Sequence, residues 1–243
     1  MHQVRQRGDP GGSGLRFLPM HALNLEVLDR DGAILETAED AGATRGDLLK
    51  RAGIATVGFT AAGAMFGNLL SPAAAAISTK KSAKNDVKIL NYALTLEFLE
   101  AEFYKAALAT SFIANANPWL KDFATTVASH EADHVKLLQS VLGKAAVKKP
   151  SFDFSAALTD EKTFMATAQV LEDTGVAAYA GQGPNISQKA VVVAALGIHS
   201  VEARHAAWIR FLNADSPAPG ITDSPKREST VLSAVADTGF IQS

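Results

Sequence analysis

"SHEADH", residues 129–134, admits two incompatible readings, and the choice between them decides the fold. From its first histidine it reads His130-Glu131-x-x-His134, the H-E-x-x-H signature of zinc peptidases, in which two histidines one helical turn apart hold zinc and the glutamate activates water. From its glutamate it reads Glu131-x-x-His134, half of the ligand set of a carboxylate-bridged two-metal site inside a bundle of four helices. Residues far from this stretch choose between them.

The chain repeats the second pattern and not the first. "EARH", residues 202–205, supplies Glu202 and His205, and Val201 stands where His130 stood. A peptidase would use Glu131 as a base and leave this second copy unexplained. Two further stretches match each other: "LEFLEAEFY" places Tyr104 seven residues after Glu97, and "LEDTGVAAY" places Tyr179 seven residues after Glu172. The separation from acid to E-x-x-H is also similar, 34 residues from Glu97 to Glu131 and 30 from Glu172 to Glu202. His130 is left as an exposed residue or a support to a ligand.

Around these residues the apolar pattern is helical. Steps of three and four align Leu90, Leu94, Glu97, Ala101, Tyr104 and Leu108 in a first segment, and Phe123, Val127, Glu131, His134, Leu138 and Val141 in a second. A third aligns Phe164, Ala168, Glu172, Gly175 and Tyr179; a fourth, starting at Ser187, aligns Val191, Ala195, Ile198, Glu202, His205, Ile209 and Leu212. The second opens at Asn117-Pro118 and closes at Gly143, and Thr159 or Asp160 caps the third. Each helix thus carries its acid in the middle of its own apolar stripe.

The first and second helices, and the third and fourth, are joined by short connections that suit antiparallel neighbours. Residues 143–159 between the pairs would span up to about 56 Å if extended, more than a bundle's length. The fold expected is therefore an all-α four-helix bundle with one long crossover between helices 2 and 3, over residues 77–215. Residues 216–243 read as a tail with a short C-terminal helix.

Residues three apart on a helix lie about 60° apart around its axis, so each E-x-x-H can present both side chains to one metal. Six ligands follow: Glu97, Glu131, His134, Glu172, Glu202 and His205. Four buried acids would each cost several kcal/mol unpaired, whereas two divalent cations balance four carboxylates and leave both imidazoles neutral. Side chains on a helix lean toward its N-terminus, so the hydroxyls of Tyr104 and Tyr179 can reach back to a ligand carboxylate on a facing helix. Glu100 and Glu102, with no acidic counterparts in the third helix, read as solvated, Glu100 lying one turn from Glu97 where it could substitute as a ligand. His199 reads as packing or as a support to the site.

Composition narrows the chemistry. A length of 243 residues, 47% hydrophobic and 20% charged with a net charge of −2, suits one globular domain with an appended segment. No dense run of Lys and Arg is present, "TKKSAK" at 79–84 reading as a solvated boundary, and nucleic acid is not an expected partner. The absence of cysteine removes disulfides, Cys-zinc sites, iron–sulfur clusters and thiol catalysis, so a metal must be held by oxygen and imidazole.

Residues 1–76 read as a leader and export signal. Arg45, Lys50 and Arg51 precede an uncharged run from Ala52 to Leu70, and Ala74-x-Ala76 follows at the cleavage position. The stretch resembles a twin-arginine signal, except that Gly46 stands where the second arginine belongs. An uncleaved membrane anchor and a buried helix are the other readings of the same segment. The expected location is outside the cytoplasm, with any membrane contact made through this segment alone.

From Asp86 to Asp215 the chain resembles the ferritin-like superfamily, and within it the exported bacterial branch related to plant desiccation-related proteins. "DVKILNYALTLEFLEAEFY", "FDF" and "LEDTGVAAYAGQGPNIS" carry that resemblance together with the ligand pattern. It implies a di-iron or di-manganese centre on the six residues named above, with dioxygen or peroxide as the reacting partner. The superfamily holds ferroxidases, peroxidases, catalases and oxidases of organic substrates, so fold and ligands alone do not select a reaction. A non-catalytic metal-binding or stress-protective protein is the alternative, and a homo-oligomer is left open.

Overall fold

The structure, a computed structural model, describes residues 77–242; the leader and export signal read in residues 1–76 lie outside the described residues. Four long helices form the bundle: α1 (Ala83–Leu108), α3 (Pro118–Leu142), α4 (Glu161–Gln182) and α5 (Lys189–Leu212), with the short α2 (Ser111–Asn115) in the first connection. The chain is all-α, and the long connection falls between α3 and α4 as expected.

Local chemistry sets the ends of the helices. Ser82 caps α1 by accepting the backbone N–H of Asn85, Asn117 caps α3 with Pro118 behind it, and Asp160 caps α4 by accepting from Thr163. Gly143 ends α3 at φ 54°, a left-handed conformation that glycine enters without steric cost. The expected start of the fourth helix at Ser187 is corrected to Lys189. The backbone N–H groups of Ser187 and Gln188 donate instead to the carboxylate of Asp86, at 2.8 and 3.0 Å, so that a buried acid of α1 closes the N-terminus of α5 from outside.

Each bundle helix packs against two others, α1 against α3 and α4, and α5 against α4 and α3. Asn91 of α1 bonds the carbonyl of Ala145 just past α3, and Asn213 just past α5 bonds that of Met165 near the start of α4, so both pairs run antiparallel. The crossover must then run the length of the bundle. On it, β1 (Ser151–Phe152) pairs antiparallel with β2 (Ile241–Gln242) at the end of the described chain, and α6 (Glu228–Asp237) packs on α4. Val231 and Phe240 are buried there.

The interior divides into two apolar clusters. One, rich in aromatic rings, gathers Phe103, Tyr104, Phe123, Phe154 and Phe164; the other, mainly aliphatic, gathers Ile89, Leu90, Leu94, Leu138, Ile186 and Val191. Glu97, Glu131, Glu172 and Glu202 lie between them along their helices and are fully buried. Leu108, expected on the inner face of the first helix, is 39% exposed. It is the last residue of α1, beyond the layer of Tyr104, and Phe103 and Ala107 fill the interior in its place.

Candidate metal centre

Six side chains from four helices converge in the layer between the two clusters. Among the described residues two groups place their ligand atoms within 4.8 Å of one another: Glu97, Glu131, His134 and Glu202 in one, and Glu131, Glu172, Glu202 and His205 in the other. Glu131 and Glu202 belong to both. Nδ1 of His134 lies 3.1 Å from Glu97, 3.2 Å from Glu131 and 3.0 Å from Glu202. Nδ1 of His205 lies 3.0 Å from Glu131 and 3.3 Å from Glu172.

One ring nitrogen cannot hydrogen-bond three carboxylates, and many of these atoms are not bonded at all. Of the eight buried side-chain polar atoms without a hydrogen bond among the described residues, five are here: Glu131 Oε1, Glu172 Oε2, both oxygens of Glu202, and Nδ1 of His205. The short ion-pair distances and the missing hydrogen bonds describe one arrangement, in which atoms face each other across a common centre with the wrong angles for bonding directly. Buried polar atoms left so cost about 1–3 kcal/mol each. Cations at that centre would engage all of them, and the donors are the hard oxygens and imidazoles that divalent iron or manganese accepts. The residues fit such a group.

The electrostatics agree. Burial pushes Glu97 up to about 7, against the pull of His134, and burial also raises Glu172 and, further, Glu202. Glu131 is the exception, because the neighbouring imidazoles of His134 and His205 outweigh its burial and hold it below the usual carboxylate range. Burial would lower both imidazoles, yet the surrounding carboxylates overcome it, raising His134 strongly and His205 to about 10. The layer holds protons where ordinary acids have lost them, which marks a demand for positive charge.

The tyrosines cross between halves. Tyr104 on α1 donates to Glu172 on α4 at 2.5 Å, and Tyr179 on α4 donates to Glu97 on α1 at 2.5 Å. Each bond fixes one oxygen of its carboxylate and leaves the other directed at the centre.

Two residues sit differently from their sequence reading. Glu100, read as solvated, is 3% exposed and faces the same layer, because α1 is buried on more than one stripe of its surface. It occupies space that Gly175 leaves free: a Cβ on Gly175 would stand 3.4 Å from Glu100 Oε1 and 3.3 Å from Glu202 Oε2. Gly175 follows Glu172 by three as Glu100 follows Glu97, so aligning the two halves would have exposed the exchange. His199 meets Asp223 at 3.6 Å rather than the carboxylate layer. Glu102 does lie outside, paired with Lys105 and Lys149. His130 is half-buried, and its Nδ1 lies 2.8 Å from Nε2 of His205 with the two rings stacked.

The model of the family described as "Ferritin-like domain" matches residues 85–215, more than half of the chain and all four bundle helices except the first two residues of α1. No curated protein matches the chain.

Proposed function

The chain belongs to the ferritin-like domain family, and from that premise we propose that it is a two-metal redox protein acting on dioxygen or peroxide. The observation that carries the reading is the sharing of Glu131 and Glu202 between two overlapping groups of buried ligand atoms. Glu97 and His134 would complete one cation position, and Glu172 and His205 the other. Two divalent ions, iron or manganese, held by these residues would supply a two-electron couple to dioxygen or peroxide.

The chain's own residues prepare that chemistry. Burial excludes bulk water from the carboxylates. Tyr104 and Tyr179 hold Glu172 and Glu97 in fixed orientations by donating to them, and their hydroxyls stay protonated because burial, with the neighbouring acids, raises both well above the ordinary range. The signal-like order of residues 45–76 supports action outside the cytoplasm, and a reaction with peroxide there would serve stress defence.

A second reading has its own support. The acids lie between two apolar clusters on four separate helices, so cations there would also tie the bundle together in a non-catalytic, protective protein. Full-length protein loaded with Fe²⁺ or Mn²⁺ separates the two. Consumption of peroxide or oxidation of excess ferrous iron over many turnovers is the expected result. Metal uptake with a large rise in melting temperature and no turnover would replace the redox reading with the protective one.

A further inference from the structure

The two halves of the layer match in their ligands and differ in what supports them. His205 has a second imidazole behind it: Nδ1 of His130 lies 2.8 Å from its Nε2, the rings inclined by 20°. The proton in that contact belongs to one ring or the other. Were it on His130, Nε2 of His205 would be the acceptor and Nδ1 of His205 would carry its own proton, a donor aimed at Glu131 and Glu172. Yet Nδ1 makes no hydrogen bond, although Glu131 Oε1 is 3.0 Å away. Its angles to the carboxylates are wrong for bonding, and a cation at the shared centre would take its lone pair. The proton then lies on Nε2 of His205 and is donated to His130.

His134 has no such help from the matching place. Val201 precedes Glu202 as His130 precedes Glu131, and a hydrocarbon cannot accept a ring N–H.

We propose that His130 is a positioning residue for one cation position only: it accepts the Nε2–H of His205 and so fixes the tautomer that presents Nδ1 to the shared centre, a support that the matching Val201 cannot give His134, so that the two positions are unequal. The inference rests on the two-metal reading above and adds an asymmetry to it. Groups that orient a ligating histidine from behind are worth roughly 10–100-fold in metal affinity.

Stepwise Co²⁺ titration of the full-length protein tests it, read by the cobalt visible spectrum and by calorimetry. The parent is expected to bind two equivalents in two resolved steps. His130→Val, which copies the residue at 201 onto a half-buried surface, should weaken one step by roughly 10–100-fold and leave the other unchanged. His130→Gln, whose amide oxygen can accept the same N–H, should recover most of that loss, which a merely structural role would not predict. Two steps untouched by His130→Val, or both weakened alike, would overturn the proposal while the two-metal reading stands. A parent that binds no Co²⁺ would overturn both.

Discussion

The half made of α1 and α3 and the half made of α4 and α5 carry the same ligands at the same spacings, yet they are not interchangeable. Tyrosine and acid recur in both, and each tyrosine serves the other half's acid. At two places the correspondence breaks: Glu100 answers to Gly175, and His130 answers to Val201. In both cases the first half carries the functional group and the second half carries the smaller or apolar residue. What repeats is the set of atoms that must surround the centre, and what diverges is the set that adjusts it.

That comparison breaks most sharply at the carboxylates. Glu131→Ala or Glu202→Ala should remove uptake of both cations, because each acid serves both groups, whereas Glu97→Ala or Glu172→Ala should remove one. Metal analysis after dialysis distinguishes two, one and none, and equal losses from all four variants would refute the division into shared and terminal acids.

Acid should act next. Protons and cations compete for the same atoms, and a group whose pKa is raised binds its proton at higher pH. Glu97 is pushed up to about 7 and His205 to about 10, so uptake must release protons and must weaken as pH falls. Cation binding at pH 6 is expected to be weaker than at pH 8, by up to about tenfold per pH unit for each proton displaced. Proton release on loading, followed in weak buffer, checks the sign, and uptake that strengthens on acidification would contradict it.

The exchange of Glu100 for Gly175 predicts an effect on stability. In an open helix Gly→Ala gains about 1 kcal/mol. Here the new methyl group would crowd Glu100 and Glu202, and overpacking costs about 1–3 kcal/mol. Gly175→Ala should therefore lower the melting temperature, and adding Glu100→Ala should return part of the loss. A stabilised single variant would show that Glu100 does not need the space.

The tyrosine pair should give equal effects. Tyr104→Phe and Tyr179→Phe each remove one buried donor from a carboxylate, a loss of about 1–3 kcal/mol. Unequal melting temperatures for the two would extend the asymmetry into a pair that now looks matched.

Much of this was legible in the sequence because helical periodicity and ligand spacing are the same signal. An acid in the centre of an apolar stripe has nowhere to go but inward, and four of them require a common counter-charge. The caps at Asn117 and Asp160 were equally readable, since the capping bond is local. Glu100 was hidden because the reading gave α1 a single inner stripe, while the helix is buried on several sides. The start of α5 was hidden because its cap comes from Asp86, distant in sequence. His130 could be placed near the site but not assigned a partner, since contact between α3 and α5 is tertiary. The leader expected in residues 1–76 lies outside the described residues.

The bond from Asp86 to Ser187 spans 101 positions of chain, and this orders assembly in time. Closing so long a loop is entropically slow, and it cannot be rewarded until the opening turn of the first rod has met the last. The fourth bundle helix, α5, should consequently acquire its first turn late in folding, so that amide exchange at Gln188 would report on completion of the whole bundle rather than on that helix alone.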